Sequence, residues 1–313
     1  MKKSVLAILL CGAAFASSAQ QFDTQNQKLG IASRTVSPDN TVEAVQDELT
    51  NIGLSTANSQ LSAFSSSLLG ENLKYLSLSL GQDEGKLQLE GMSVYGLQET
   101  KNWFVFNQTS IVNYDGRTTL NFGLGARHIN DSDTVILGLN AFHDLEFDSN
   151  HRRASIGGEV ITSLLQLRVN YYKGLTGERL YEGVYEEALD GQDIKLTYEL
   201  PYFYGSDIYF LSSRWYDGQG YGTYSKEAGV SAELSPNLMF KLAGNRTDGG
   251  STDASASVTY RIVLGAKPDN RVKRDGVWKF ALEPVRDMLY QPVERENRIM
   301  KKSINLGVTV TGY

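Results

Sequence analysis

Three histidines are the first residues to weigh for chemistry. His128, His143 and His151 lie close together in the chain, with Asp144 and Ser155 beside them. A hydrolytic triad needs a nucleophile, a base and an orienting carboxylate that converge on one point. His143 and Asp144 are adjacent in an alternating stretch, so they point to opposite faces of one strand. The sequence holds neither a Gly-x-Ser-x-Gly elbow nor a His-x-Ser pair. No two of the histidines share a strand face at ligand spacing, so a metal site is not expected. Asp131, Asp144 and Asp148 invite calcium but read as solvated turn residues. The chemistry therefore points away from an enzyme, with no catalytic residue, metal or cofactor expected.

A second set of reactive types sits inside strands. Arg127, Glu159, Arg168, Glu199 and Arg261 all occupy the polar parity of alternating stretches. In "RTTLNFGLGARHI" (117–129), Leu120, Phe122, Leu124 and Ala126 fall on one face, and Asn121, Gly123, Gly125 and Arg127 on the other. Such charges either gate a passage or neutralise one another inside a filled space.

The elements that position these residues follow from periodicity. "MKKSVLAILLCGAAFASSAQQ" reads as a secretory signal over residues 1–19, with Lys2 and Lys3, an apolar run and small residues at Ser17 and Ala19. Cys11 is the only cysteine, so the processed chain is expected to have neither a disulfide nor a cysteine metal site. Residues 20–39 are polar and unpatterned. Helical spacing is expected over 40–70, in two short segments stopped by Gly53 and Gly70.

From about Lys86 the period becomes 2, and 71–313 is expected to be sheet. About twelve strands can be counted, the first near 86–97 and the last on Ile304, Leu306, Val308 and Val310. Turn signals such as "NYDGR", "INDSD" and "FDSNHR" separate them. The connections 176–190 and 264–301 are long, and "YEGVYEEALDG" (181–191) reads as an exposed acidic loop.

Hydrophobic residues at 41% and charged residues at 21% suit a soluble protein. The net charge of −6 and the lack of a basic stripe argue against a nucleic-acid partner. No apolar run beyond the signal reaches the ~18 residues of a spanning helix. Two architectures remain for the alternation. A sandwich packs its apolar face on a second sheet; an outer-membrane barrel turns it to lipid. Strands of 9–12 residues, bulky charges beside glycines on the polar face, and tyrosines clustered toward strand ends favour the barrel.

The stretch 120–177 resembles the β-domain of the inverse autotransporters, the intimin/invasin family. The matching residues are Gly123, Gly125 and Arg127, then Asn140, Phe142 and Asp144, then His151 and Arg153, Gly157 and Glu159, and Asn170 and Tyr172. "ANSQLSAFSSSLLG" resembles the segment before the family's barrel, and "PVERENRI" (292–299) the segment before its last strand.

The resemblance implies a twelve-stranded antiparallel outer-membrane barrel with a periplasmic N-terminus and a linker that threads the pore toward an adhesive passenger. It implies outer-membrane lipid, the periplasmic chaperones and the barrel-assembly machinery as partners, with a separate passenger chain or a host surface beyond them. The expected function is a surface or translocation scaffold linked to adhesion; a small pore or plugged channel, with 40–69 as plug, is the alternative. The chain is expected to stop at Tyr313 where the linker begins, with both ends on the periplasmic side. On that count "NYDGR", "FDSNHR" and 176–190 face the periplasm, while "INDSD" and 264–301 face outward.

Overall fold

A computed structural model describes residues 72–200, 205–235, 237–248, 252–263 and 282–304. The expected signal segment, polar stretch and helices before residue 71 lie outside the described residues.

Twelve strands close into one antiparallel barrel. They are β1 (Leu73–Asp83), β2 (Lys86–Glu99), β3 (Trp103–Tyr114), β4 (Arg117–Ile129), β5 (Val135–Glu146), β6 (Arg152–Thr162) and β7 (Leu165–Gly174), then β10 (Asp190–Glu199), β11 (Ser206–Tyr216), β12 (Gly222–Ser235), β13 (Leu238–Thr247) and β14 (Thr252–Val263). Between β7 and β10 a hairpin, β8 (Arg179–Tyr181) and β9 (Val184–Ala188), stands off the barrel. The closing seam joins β1 to β14, with Leu80 opposite Val258. Closure leaves no ladder edge unpaired, which a sheet in lipid requires.

Alternation decides which side each residue takes. Leu78, Leu80, Leu124, Leu139, Ile156 and Val230 point out and stay exposed. On the other parity Asn121, Arg127, Asp144, Arg153 and Arg168 are buried inside. Two-residue turns join several hairpins. Glu84–Gly85 and Asp115–Gly116 both take positive φ at both positions, the twist-matched geometry that glycine makes cheap.

Three expectations need correcting. The barrel begins with β1, one strand before the first expected one at 86–97. Its alternation, "LSLSL", is regular, but it directly follows the stretch with helical spacing. The last barrel strand is β14; Lys301–Ile304 (β15) pairs instead with β9, and residues beyond it lie outside the described set. Counting from β1 moves every turn to the opposite end. "INDSD" lies at the near end, where β1 starts, while "NYDGR", "FDSNHR" and the β8–β9 hairpin lie at the far end. The long hairpin thus shares the far end with the turns after β1, β3 and β5.

The third correction concerns 282–304. Instead of arching outside, it enters the lumen from the near end, forms a 3-10 turn at Arg286–Tyr290 and leaves at the far end as β15. Residue 304 therefore stands at the end opposite the start of β1, and the expected linker begins inside the barrel, well before Tyr313.

Candidate functional site

The site is the grip of the barrel wall on this threaded segment. At the near end the grip is apolar. Val94, Phe104, Phe106, Ile129, Ile136 and Ile161 point inward and pack on Val285, Leu289, Tyr290 and Val293 of the segment. Phe104 meets Tyr290 edge-on, with ring centroids 5.1 Å apart. Polar contacts fix the register. Arg286 clasps Asp133 through Nε (2.9 Å) and Nη2 (2.5 Å), and Val285 N donates to the Asp133 carbonyl at 2.6 Å. The guanidinium holds the Asp133 carboxyl below its ordinary pKa.

In mid-barrel the segment is extended, and side chains from the wall satisfy its backbone. The Gln108 amide acts as a strand would, donating to the Val293 carbonyl (3.1 Å) and accepting from Val293 N (2.6 Å). Arg127 donates through Nη1 to the carbonyls of Leu289 (2.6 Å) and Gln291 (2.5 Å), while its Nε donates to Glu159 (2.6 Å). A buried backbone lacking such partners would cost the full desolvation of each group.

Four more family-signature positions grip farther along. Asp144 receives Arg153 Nε at 2.8 Å and both terminal nitrogens of Arg295 at 2.8 and 2.6 Å. Arg153 also donates to the Glu296 carbonyl at 2.6 Å. Tyr172 donates its hydroxyl hydrogen to Asp193 (2.6 Å) and accepts from Glu296 N (2.8 Å). Asn170 donates to Asp193 (2.8 Å) and to the Glu294 carbonyl (3.2 Å). Glu294 is itself held by Arg168 at 2.9 Å and by Lys195.

The signature glycines make room for this grip. A Cβ on Gly123 would overlap the Phe142 ring, one on Gly125 the Phe106 ring, and one on Gly157 the amides of Asn170 and Asn140. Each large side chain thus lies flat over the strand beside it. The flattened Phe142 ring in turn carries the Arg295 guanidinium, 4.4 Å from its centroid.

At the far end β15 adds to the β8–β9 hairpin as a third strand. Lys301 meets Glu146, and Lys302 meets Asp217 and, at 3.0 Å, Glu187. Arg117 bridges Glu146 and Glu186, each at 2.6 Å, and ties the hairpin to the rim. Hydrogen bonding to Arg117 lowers the Glu186 pKa, and Lys302 does the same for Asp217.

The remaining expected residues fall elsewhere. His151 is buried under the far rim with Nδ1 2.9 Å from the Thr176 hydroxyl, tying the β5–β6 turn to the long connection. His143 is exposed on the outer face, and His128 packs against Trp103 on that same side. The three histidines do not converge, and both Asp144 oxygens are taken by arginines. Arg261 pairs with Glu233, and with Glu199 it lines the opposite wall, away from the segment. The sequence reading missed Gln108, Asp133, Asp193 and the clasp lysines. The signal for them was the dense alternation of charge in "PVEREN" within a connection too long for a turn.

Comparison with known proteins places this architecture. The family model described as inverse autotransporter, beta-domain, matches residues 17–297. The inverse autotransporter adhesin YeeJ of Escherichia coli K12 is 26% identical over 239 residues, 68% of this chain and 10% of that protein. Invasin of Yersinia enterocolitica is 32% identical over 106 residues, 33% of this chain and 12% of invasin. The chain thus spans about a tenth of the length of these relatives. A chain solved in work on in-meso crystallization of membrane proteins superposes with a TM-score of 0.65 at 18% identity, covering 74% of this chain and 100% of that one. With a family match over most of its length and a closed twelve-stranded barrel, this outer-membrane chain belongs to the inverse autotransporter β-domain family.

Proposed function

We propose that the barrel is a translocation scaffold that holds its own linker across the outer membrane and presents any chain joined to that linker on the far side. One observation carries this reading: the segment 282–304 enters where β1 begins and emerges as β15 at the opposite end. The near end then faces the periplasm, in keeping with an N-terminal signal that is cleaved there and with delivery by periplasmic chaperones to the barrel-assembly machinery. The far end carries the long hairpin, matching the preference of such barrels for long outer loops. Two of the matched relatives are named an adhesin and an invasin, which supports adhesive display as the purpose, by a passenger joined to the linker or held as a separate chain. The barrel itself breaks no bond on this reading: its histidines do not converge, and both Asp144 oxygens are held by arginines.

The test is an epitope placed after Tyr313. On intact cells it binds antibody and is lost to added protease. An epitope reached only after the outer membrane is broken would refute the reading.

A second reading is favoured by open space in the lumen among the described residues. A cavity of about 430 Å³, lined by Lys195, Asp207, Glu227, Lys241 and Arg261 among others, runs between the segment and the β10–β14 wall. A pore would show steady conductance of the intact chain in planar bilayers, whereas the scaffold stays closed.

A further inference from the structure

We infer that the outer surface of β11–β13 binds a phosphorylated glycolipid of the far-end leaflet. The register of the strands shows why. Across the outer face one row reads Ser212, Lys226, Arg246 and Thr252. The next row toward the near end reads Leu196, Phe210, Ala228, Gly244 and Ala254. On β11–β14 polar and apolar surface therefore meet along a single line, as they must where headgroups meet acyl chains, while on β10 the first row continues as the apolar Ile194.

Above that line Lys226 and Arg246 sit directly opposite each other on paired strands, both exposed. Arg214 stands one strand over, its guanidinium 5.2 and 5.1 Å from the Tyr216 and Tyr224 rings. Among the described residues none of the three cations has a carboxylate within ion-pairing distance. Like charges directly across a strand pair destabilise it. An anion shared between them reverses the sign, and phosphate is the anion whose oxygens suit guanidinium donors.

Below the line the surface is concave. Ala228, Gly244 and Ala254 form its floor, and Phe210, Val230 and Leu242 stand at its sides. A Cβ at Gly244 would meet no atom within 4 Å. A cationic rim over an apolar trough fits one molecule with a phosphate above and an acyl chain below. In the outer leaflet of a Gram-negative cell that chemistry is a bisphosphorylated, multiply acylated glucosamine lipid. The assignment to this leaflet rests on the orientation proposed above. Lipid binding is read in detergent, where sidedness plays no part, so the two ideas fail separately.

The experiment titrates lipid A into the purified full chain in detergent and counts bound lipid by native mass spectrometry. The intact chain retains lipid A, and the same lipid stripped of both phosphates binds at least tenfold more weakly. Lys226→Gln with Arg246→Gln weakens lipid A at least tenfold. Gly244→Leu, which fills the trough and keeps the charges, does the same. All three positions face outward, and an unboiled gel reads each variant's folded band. Equal retention of dephosphorylated lipid A, equal retention of phosphatidylglycerol, or unchanged binding by both variants would overturn the inference.

Discussion

Asp144 is the residue on which the threaded state turns most. Its two oxygens join a wall arginine, Arg153, to a linker arginine, Arg295, in a place with no exposed side-chain surface on any of the three. Removing one partner of such a group leaves buried charge without compensation, which typically costs about 3–5 kcal/mol. Asp144→Asn should therefore lower the unfolding free energy of the refolded barrel in micelles, read by guanidinium titration, by that order, and a change under ~1 kcal/mol would show the cluster to be solvated. Gly123 makes a separate prediction. Gly123→Val forces the Phe142 ring aside, an overpacking cost of roughly 1–3 kcal/mol. Adding Phe142→Ala should recover part of the loss; strict additivity of the two changes in unfolding midpoint would mean that ring and glycine do not share the space. These positions were legible as a signature because period-2 parity assigns each to the inner face. Their purpose was not. Nothing in "GLGAR" says that Arg127 caps carbonyls 162 and 164 residues away.

Among the elements, β15 and the hairpin it joins make the clasp that fixes the exit. Arg117 and Lys302 hold the Glu186 and Asp217 carboxyls below their ordinary values of 4.5 and 3.8. A depressed carboxyl contributes stability above its ordinary pKa and loses it as pH falls through the lower folded value. Bonding to Asp217 and Glu187 raises the Lys302 pKa above 10.5, so its share is present below that value and is lost as pH rises through the folded one. Burial shifts Lys301 downward and narrows the basic side. A spin label at Ser303 should thus stay immobile from above the carboxylate range to below the ordinary lysine range, and gain motion on acidification beneath it. Mobility rising steadily from pH 8 to pH 6 would contradict the clasp.

Most barrel strands from β2 onward were readable, but β1, β15 and the β8–β9 hairpin, which read as an exposed acidic loop, were not. β1 adjoins a helical pattern that masked its start. β15 has four residues and takes its partner from a hairpin far back in the chain, and no local period reports such a pairing. The inward apolar cluster was hidden for a related reason. In "FVF" (104–106) both faces are apolar, so parity cannot tell lumen from lipid.

For the whole molecule, the count of twelve was right although one of its members was wrong, and that exchange reverses sidedness. A barrel needs an even set of strands, and either end of the chain could supply the last. Only the pairing of β1 with β14 settles it. Inside the closed wall, 282–304 is the part that occludes the lumen among the described residues. Its deletion should convert a quiet barrel into a steadily conducting one in planar bilayers, and conductance equal to that of the intact chain would place the barrier elsewhere.

The central claim is that the linker crosses the membrane from the near end to the far end. Two single-cysteine chains, each carrying Cys11→Ala, test it directly with a membrane-impermeant maleimide on intact cells. Ser303→Cys, in the exit strand, should label at once, while Lys101→Cys, exposed in the β2–β3 turn at the near end, should label only after lysis. Labelling of Lys101→Cys on intact cells with Ser303→Cys protected would invert the orientation, and labelling of both or neither on intact cells would contradict the threading.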